Sequence, residues 1–458
     1  MNLWARLIDA HGERPFVDDD HGRAFSYGEA LRFGRALVAP IGGRGFVILL
    51  CSNTAPSAAA YLALLASEHA VLLVERDLAP DRLEALVDVY RPDALVDPLD
   101  GTPVRMLDGG TALHPDLALL LSTSGSTGSP KLARFTAAAI HANAASIAQY
   151  LALGPEERPL LHLPTSYSYG MSVINSHLLV GARLSLTGHS PMQPGFWDRL
   201  AATQATSLAG VPFHYDMLRR FGTAKLDLPH LRTLTQAGGK LSPALVKLFG
   251  GWARATGRRF FVMYGQTEAG PRISYLPPDR APDAPESVGV AIPGVELSLG
   301  DPAGRPIGEA GTPGELVVRS PAIMMGYAHS AADLVRGDDQ GGVLRTGDLA
   351  QRGEDGLFTI VGRSARMVKL FGVRVNLDDV DAFLATRGFR SASFGRDDHL
   401  QVAVEGADPQ EVRSLVVETF SFPPRGFEVR SVPTLPRAAS GKILYSELGR
   451  LWAGEAAA

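Results

Sequence analysis

The sequence predicts an α/β fold: a large N-terminal domain of two doubly wound sheets plus a small β-barrel, then a small α+β C-terminal domain. Apolar runs of strand length, such as 46–51 and 70–74, alternate with helical segments, which is typical of a parallel, doubly wound sheet. The same alternation returns over 160–264, with a helix near 172–180, and the C-terminal part is expected to hold a helix over 377–386. From about residue 285 glycine and proline become frequent and the strands short, which indicates a small, mostly antiparallel β region.

A hinge candidate follows this β region, at Gly362-Arg363-Ser364-Ala365-Arg366. Beyond it, short strands and helices follow one another in a compact α+β pattern up to the C-terminal helix. We therefore expect two domains, residues 1–362 and residues 363–458.

Composition narrows the class of protein. Of 458 residues, 45% are hydrophobic and 20% are charged, with a net charge of −4, values of an ordinary globular protein. No basic block suggests a nucleic-acid partner. The single cysteine, Cys51, excludes a disulfide framework. No uncharged apolar run reaches membrane-spanning length, and the first residues carry charges where a signal peptide needs an apolar segment. We expect a cytoplasmic protein without a membrane partner.

One stretch, Leu120 to Lys131, has the chemistry of a phosphate-binding loop. It follows an apolar strand and combines several hydroxyl side chains, two glycines three residues apart and a lysine. Backbone N–H groups exposed at glycines, hydroxyls and a cation suit a triphosphate. The lysine does not directly follow the second glycine, so the stretch is not the common P-loop pattern. Ser/Thr/Gly clusters are also ordinary loops, and on this stretch alone both interpretations stay open.

Four further stretches could each contribute to a nucleotide site. Two follow predicted strands: Gln236-Ala-Gly-Gly239 offers bare backbone to a planar ring, and Tyr264-Gly-Gln-Thr-Glu268 offers an aromatic face, a hydroxyl and a carboxylate. The turn at Arg345-Thr-Gly-Asp348 places a carboxylate where a sugar diol could bind, and Pro436 to Lys442 carries a lysine. Taken singly, each has a structural explanation as a turn, a helix cap or a solvated lysine.

Taken together and in order, these motifs resemble the adenylate-forming superfamily of acyl-CoA synthetases, nonribosomal peptide adenylation domains and luciferases. The stretch from Thr123 to Lys131 is similar to the family's phosphate loop nearly letter for letter. The later motifs match in the same order: Tyr264 to Glu268, Thr346 to Asp348, Gly362-Arg363, Lys369-x-x-Gly372-x-Arg374, and Pro436 to Lys442.

The resemblance implies that a carboxylate attacks the α-phosphate of ATP, giving an acyl-adenylate and pyrophosphate. Catalytic roles would fall to Lys442, which would bridge the carboxylate and the α-phosphate, to Thr267 at the α-phosphate, and to Glu268 as the Mg²⁺ ligand. Tyr264 would stack on adenine. The resemblance implies these ATP-binding residues: Thr123, Ser124, Gly125, Ser126, Thr127, Gly128, Lys131, Gly238, Gly239, Tyr264, Asp348 and Arg363. The C-terminal domain would be mobile, rotating to bring Lys369, Gly372 and Arg374 to the site for a second half-reaction.

By family position, the acid would be chosen by Tyr167, Ser168, Val211, Pro212, His214, Ala237 and Met263. Tyr167 stands where acyl-CoA synthetases often have histidine. No acidic residue lies between Leu160 and Gly181 to hold an α-ammonium group. Together with several serines, these features favour a small or medium acid with polar groups over an amino acid or a long fatty chain. His162 is expected to be structural.

Two further departures from the family pattern concern the C-terminal domain. Ala365 occupies the hinge position that is usually acidic or lysine, and Tyr445 stands where a basic residue is common. The expected function is therefore acid activation with ATP and Mg²⁺, followed by transfer to a thiol of CoA or of a carrier protein. A stand-alone or amide-forming ligase with an amine acceptor is the alternative, and a non-catalytic nucleotide-binding homologue is a minor one.

Overall fold

A computed structural model of the protein describes two compact units. The first holds most of residues 1–297 together with Val318–Leu344, and the second holds Ser298–Val317 and the chain from Arg345 onward. The boundary that the sequence predicts, between residues 362 and 363, stays a prediction. The described residues are 3–100, 103–122, 131–363, 366–370, 373–396, 398–420, 426–438 and 443–453.

The α-helices of the described residues alternate with strands through most of the first unit. None of them is both long and apolar enough to cross a membrane. They are α1 (Leu3–His11), α2 (Tyr27–Val38), α3 (Ala55–Leu65), α4 (Pro80–Tyr90), α5 (Ala137–Tyr150), α6 (Ser168–Leu179), α7 (Pro194–Ala202), α8 (Pro212–Phe221), α9 (Pro243–Ala255), α10 (Leu377–Thr386), α11 (Pro409–Phe420) and α12 (Tyr445–Ala453).

The strands of the described residues are mostly short. They are β1 (Pro15–Asp18), β2 (Ala24–Ser26), β3 (Phe46–Cys51), β4 (Ala70–Glu75), β5 (Ala94–Val96), β6 (Val104–Met106), β7 (Leu117–Ser122), β8 (Leu132–Thr136), β9 (Pro159–Leu161), β10 (Leu184–Leu186), β11 (Ser207–Gly210), β12 (Thr233–Gln236), β13 (Arg259–Tyr264), β14 (Ser274–Leu276), β15 (Val290–Ala291), β16 (Glu296–Gly300), β17 (Pro306–Ile307), β18 (Gly314–Arg319), β19 (Gly326–Ala328), β20 (Val343–Arg352), β21 (Phe358–Arg363), β22 (Met367–Leu370), β23 (Val373–Asn376), β24 (Ser391–Arg396), β25 (His399–Glu405) and β26 (Phe427–Val432).

The larger sheet positions most of the candidate site. Its order is β15-β14-β13-β12-β11-β9-β10-β1-β2, and the strands from β13 to β1 are parallel. Carboxyl ends of neighbouring parallel strands meet at one edge of a sheet, the usual ligand edge of an α/β fold. Four adjacent strands, β13, β12, β11 and β9, therefore present the segments that follow them at the same edge.

The second sheet has the order β19-β8-β7-β4-β3-β5-β6. Its central strands β7, β4, β3 and β5 are parallel, whereas β8 and β19 extend it in antiparallel fashion. The strand β3 is buried along its whole length, as expected for a central strand with both faces covered. The two doubly wound sheets predicted from the sequence are thus confirmed.

The small β region differs in one respect from the prediction. Its five strands have the order β17-β16-β18-β20-β21, and in the described residues no pairing joins the two ends, so the sheet is open and not a barrel. The edge strand β17 has only two residues, one of which is Pro306. Proline lacks the N–H that a further strand pair would need.

Helix α6 forms the inner wall beside the larger sheet. Every residue from Ser168 to Leu178 is buried, so the helix is covered on all sides. A Cβ on Gly170 would lie 2.2 Å from the carbonyl oxygen of Pro164. Only glycine therefore allows the helix to begin this close to the loop before it.

The C-terminal part of the second unit has its own core. The hairpin β22–β23 and the three-stranded sheet β24–β25–β26 pack against α10 and α11. Arg366, the last residue of the predicted hinge, donates to Asp381 at 2.6 Å and lies 4.7 Å from the ring centroid of Tyr445. The uncommon tyrosine at position 445 thus packs against an arginine of the predicted hinge.

Candidate active site

The predicted triphosphate loop lies between two paired strands. β7 and β8 are antiparallel neighbours, and Ser122 pairs with Leu132 across them. The strands therefore place both ends of the loop at one point of the second sheet. Six of its predicted ligands lie outside the described residues: Thr123, Ser124, Gly125, Ser126, Thr127 and Gly128.

Lys131, the last residue of this loop, belongs to a cluster with Glu268 and Tyr327. Its ammonium nitrogen lies 4.1 Å from the ring centroid of Tyr327. The Tyr327 hydroxyl donates to Oε1 of Glu268 at 2.7 Å. Burial raises the pKa of Tyr327, and the negative charge of Glu268 raises it further. The phenol therefore stays protonated and holds the carboxylate in place.

Tyr327 was missed by reasoning from the sequence. It lies on β19, which pairs with β8 and places Tyr327 opposite Ala133. The chain separation between the two strands is almost 200 residues, and no local motif marks the tyrosine. A pairing of this kind could not be inferred from one sequence.

The contact between Ser168 and Thr267 joins two predicted functions. The two hydroxyl oxygens lie 3.1 Å apart. Ser168 is the first residue of α6, and Thr267 begins a single 3₁₀ turn after β13. The predicted acid pocket and the predicted α-phosphate residue therefore meet at this point.

The Gly238–Gly239 turn follows β12, beside the strand that carries Tyr264. Nε2 of the buried Gln236 donates to the Gly239 carbonyl at 2.8 Å and fixes the turn. Gly238 has a φ of +83°, and a Cβ there would lie 2.5 Å from the hydroxyl of Tyr167. Glycine is needed here both for the backbone conformation and for the close approach of Tyr167.

The predicted acid-pocket residues of the first unit surround this turn. A Cβ on Gly238 would lie 3.1 Å from Cγ1 of Val211, and one on Gly239 would lie 3.1 Å from Cγ of Pro212. Val211, Ala237 and Met263 are buried. The structure thus brings residues from the ends of three neighbouring strands, β11, β12 and β13, to one edge of the sheet.

Two histidines form a neutral pair in this region. Nε2 of His162 and Nδ1 of His214 lie 3.1 Å apart, and the Val211 N–H donates to the same Nδ1 at 3.3 Å. Burial lowers the pKa of His214 to about 4. Burial, followed by the neighbouring His214, lowers the pKa of His162 well below its ordinary value. Both rings are therefore uncharged at neutral pH.

Arg272 is a second residue that sequence reasoning missed. It lies between β13 and β14 and is 2% exposed. Its guanidinium donates to Tyr150 and to Ser172 and contacts the sulfur of Met263. Its residue type did not mark Arg272 as a buried residue near the site, because a single arginine in a sequence is usually solvated or paired.

In the second unit, the structure joins the two predicted ribose ligands. Asp348 and Arg363 are opposite one another on β20 and β21. Nε of Arg363 donates to Oδ1 of Asp348 at 2.8 Å, and the side chain of Asp348 is 2% exposed. The carboxylate is therefore held in one orientation by its partner.

The predicted lysines of the C-terminal part are only partly described. Lys369 and Arg374 face each other across the β22–β23 hairpin, while Gly372 between them lies outside the described residues. Lys442 also lies outside them. Its two flanks are held together, because Arg437 forms a β-bridge with Ile443.

The carboxylate of Glu268 fits a magnesium ion bound with a nucleotide. The described residues contain no group of three or more histidine, cysteine or acidic side chains that could hold a metal by themselves. Mg²⁺ in nucleotide sites is usually bound by one or two carboxylates together with phosphate oxygens and water. A single glutamate that shares Tyr327 with Lys131 is thus consistent with such an ion.

Comparisons with known proteins show which families the chain is similar to. Residues 111–328 match the model of the family described as AMP-binding enzyme. A long-chain-fatty-acid–CoA ligase from Yersinia pestis is 29% identical over 365 residues, 73% of this chain and 62% of the ligase. An L-proline–[L-prolyl-carrier protein] ligase from Streptomyces coelicolor is 29% identical, over 69% of this chain and 62% of that protein. The match thus spans about three fifths of the length of these relatives.

The fold agrees with a solved structure along nearly the whole chain. The ATP-bound MatB of Rhodopseudomonas palustris superimposes with a TM-score of 0.79 at 22% identity, covering 98% of both chains. Residues 111–328 thus match the AMP-binding enzymes, and over nearly its whole length the chain shares the fold of MatB.

Proposed function

We propose that this protein is an acid–AMP ligase that activates a small or medium carboxylic acid with ATP. The carboxylate oxygen attacks the α-phosphorus, the bond to the β-phosphate oxygen breaks, and pyrophosphate leaves. The observation that carries the proposal is the 3.1 Å contact between Ser168 and Thr267. It supports the proposal because Ser168 is a predicted acid-pocket residue, Thr267 is the residue predicted to bind the α-phosphate, and Glu268 follows Thr267 directly.

Transfer at phosphorus needs positioning and charge neutralisation more than covalent help from the protein. Thr267 would donate to the α-phosphate, and Lys131 would neutralise the β- and γ-phosphates. Mg²⁺ bound at Glu268 would supply positive charge to the phosphate oxygens. The Tyr327 hydroxyl, at 2.7 Å from Glu268, holds that carboxylate in position.

Other roles are proposed from the family pattern. Tyr264 and the Gly238–Gly239 backbone would contact adenine, and the Asp348–Arg363 pair would hold the ribose hydroxyls. Lys442 would bridge the acid and the α-phosphate. The C-terminal domain, residues 363–458, would then rotate and present Lys369, Gly372 and Arg374 for the second half-reaction.

Acid-dependent exchange of pyrophosphate into ATP tests the first half-reaction. A panel of small aliphatic, hydroxy, amino and aryl acids is expected to contain at least one that supports exchange. Lys442→Ala should abolish exchange while ATP binding is largely kept. Lys247→Ala, on the exposed face of α9, is the matched control and should leave exchange unchanged.

If no acid supports exchange, the proposal that the protein is an acid–AMP ligase is wrong, and a nucleotide-binding homologue without catalytic activity is favoured. Near-normal exchange in the Lys442→Ala variant would overturn the role of that lysine.

We propose a thiol as the acceptor, on CoA or on a carrier-protein phosphopantetheine. The relatives support both, since one is a CoA ligase and another a carrier-protein ligase. Incubating the enzyme, ATP and the active acid with CoA should give a thioester that mass spectrometry detects. A carrier protein bearing phosphopantetheine is the second arm. Product only with an amine acceptor would replace this proposal by an amide-forming ligase.

A further inference from the structure

Arg272 is a buried cation that contacts Met263, one of the predicted acid-pocket residues. It is 2% exposed. Nη1 donates to the Tyr150 hydroxyl at 2.8 Å, Nη2 donates to Ser172 Oγ at 3.1 Å, and the guanidinium lies 4.5 Å from the Tyr169 ring centroid. All these partners are electrically neutral.

No carboxylate of the described chain forms an ion pair with this guanidinium. Arg272 and Glu157 both line a small cavity of about 20 Å³. The carboxylate of Glu157, however, is already paired with Arg232 at 2.9 Å. Nε of Arg272 is buried and has no acceptor. Burying a charge without a counterion is costly, and arginine cannot avoid the cost by losing its proton. An anion that binds from outside the chain would offset this cost of burying the charge.

The contact with Met263 shows where such an anion could bind. Nη1 of Arg272 lies 2.8 Å from the Met263 sulfur. A thioether is a weak acceptor, and a methionine side chain moves easily between rotamers. Met263 is also one of the residues that the sequence predicts to face the acid. A carboxylate entering from the acid pocket would therefore replace a poor acceptor with a charged one.

Helix α6 gives the distance from this point to the reacting end. Ser168, which contacts Thr267, and Ser172, which contacts Arg272, are four residues apart on α6. They are thus separated by about 6 Å along the helix axis. This is close to the separation of the two carboxyl groups of glutarate or adipate. Burial raises the pKa of Tyr167, and the Arg272 charge opposes the rise, so its field reaches the pocket.

We propose that Arg272 recognises a second oxyanion at the far end of the acid, so that the enzyme activates a dicarboxylic acid at one end while Arg272 binds the other. This inference rests on the proposed function, because it assumes that the reacting carboxylate lies near Ser168 and Thr267. It narrows the substrate to acids with two carboxylates, aliphatic or aromatic, of roughly the glutarate-to-adipate span.

Matched pairs of acids test the proposal in the pyrophosphate-exchange assay. Glutarate is compared with pentanoate, adipate with hexanoate, and isophthalate with benzoate. The wild-type enzyme should favour at least one diacid by more than about 10-fold in kcat/KM, since a site with buried polar groups rejects a ligand that leaves them unpaired. Arg272→Met should remove this preference, and Arg272→Lys should keep part of it.

Ser172→Asp is a second variant that does not remove the arginine. It would place a carboxylate of the chain itself beside Arg272 and should abolish the diacid preference. Ser176→Asp, one turn further along α6, controls for an added charge. Equal kcat/KM for the diacids and their matched monocarboxylic acids in the wild type would overturn the proposal while the ligase function stands. So would a diacid preference that is unchanged in both Arg272→Met and Ser172→Asp.

Thermal stabilisation by the diacid alone, without ATP, separates the two proposals. Glutarate or adipate should raise the melting temperature of the wild type but not of Arg272→Met. If this shift occurs and no acid supports exchange, anion recognition stands and the proposed ligase function fails. If neither the shift nor the preference occurs, the inference about Arg272 is wrong.

Discussion

Two buried arginines in the first unit are treated differently by their surroundings. The side chain of Arg134, on β8, is 0% exposed and pairs with Asp339 at 2.9 Å. It also donates to the backbone carbonyls of Met325, Arg336 and Gly337. Arg272 is buried to a similar degree, but it has only hydroxyls, a thioether and an aromatic ring.

Nε lacks an acceptor in both arginines, so that feature does not separate them. The difference lies in the charge of their partners. Arg134 has a counterion and joins β8 to the segment around Met325, which is a structural role. Arg272 is held in place by neutral groups, and its proposed counterion is the second carboxylate of the bound acid. The same residue type thus serves the fold in one place and ligand selection in the other.

The largest expected effect comes from the same substitution at both sites. Arg134→Met should lower the free energy of unfolding by about 3 kcal/mol, because it leaves the backbone carbonyls of Met325, Arg336 and Gly337 without their donor. Arg272→Met should change it by less than about 1 kcal/mol, because a neutral apolar chain replaces an uncompensated charge. Urea unfolding of the two variants measures the difference. Equal losses would show that Arg272 is structural.

The histidine pair extends the comparison to a buried group that can lose its charge. The pKa of His214 is about 4 in the folded protein, against an ordinary value of about 6.5. Protonation therefore favours the unfolded chain. The stability that the neutral ring contributes is complete above pH ~6.5 and is lost as the pH falls towards 4.

The expected loss at pH ~4.5 is about 2 kcal/mol relative to neutral pH. Urea unfolding of the wild type and of His214→Gln at both pH values measures it, since glutamine cannot titrate. The wild type should lose more stability than the variant. Parallel losses would mean that His214 is protonated in the folded protein without penalty.

Much of the site could be predicted because its motifs follow strands directly. Buried strands such as β13 are continuous apolar runs, and the segment that follows each run is fixed at one edge of the sheet. The Gly238–Gly239 turn, Tyr264 and Glu268 were found in this way. Helix α10 was also predicted with its observed bounds, Leu377–Thr386, because its apolar period is regular.

The start of α6 and the contacts of Tyr327 and Arg272 could not be predicted from the sequence, each for a physical reason. The sequence predicts a helix near 172–180, but α6 begins at Ser168, because a helix buried on all sides has no amphipathic period to mark its start. Tyr327 reaches Glu268 only through the pairing of β19 with β8, a contact between distant segments. The isolation of Arg272 from carboxylates is a property of packing, which no residue pattern encodes.

Tyr327, opposite Ala133 on the β8–β19 strand pair, contacts Glu268 and Lys131, two residues proposed to act at the nucleotide. Tyr327→Phe removes the hydrogen bond to Glu268 and keeps the ring under Lys131. We expect KM for ATP to rise roughly 10-fold or more, since a hydrogen bond to a charged group is worth about 1.5–3 kcal/mol. Stability should hardly change, in contrast to Arg134→Met. Steady-state kinetics at several Mg²⁺ concentrations measure the effect; an unchanged KM would remove Tyr327 from the site.

The smallest expected effect comes from Tyr169, the aromatic residue whose ring lies against the Arg272 guanidinium. The Tyr169 hydroxyl lies 3.0 Å from the Thr235 carbonyl oxygen and 2.9 Å from its Oγ1. Tyr169→Phe removes these bonds but keeps the ring beneath the guanidinium. Stability should fall by about 1 kcal/mol, and the diacid preference should stay within about 2-fold of wild type, because the ring contact survives. Urea unfolding and the matched acid pairs measure both quantities. Loss of the preference in this variant would assign the selectivity to the Tyr169 hydroxyl instead of the Arg272 charge.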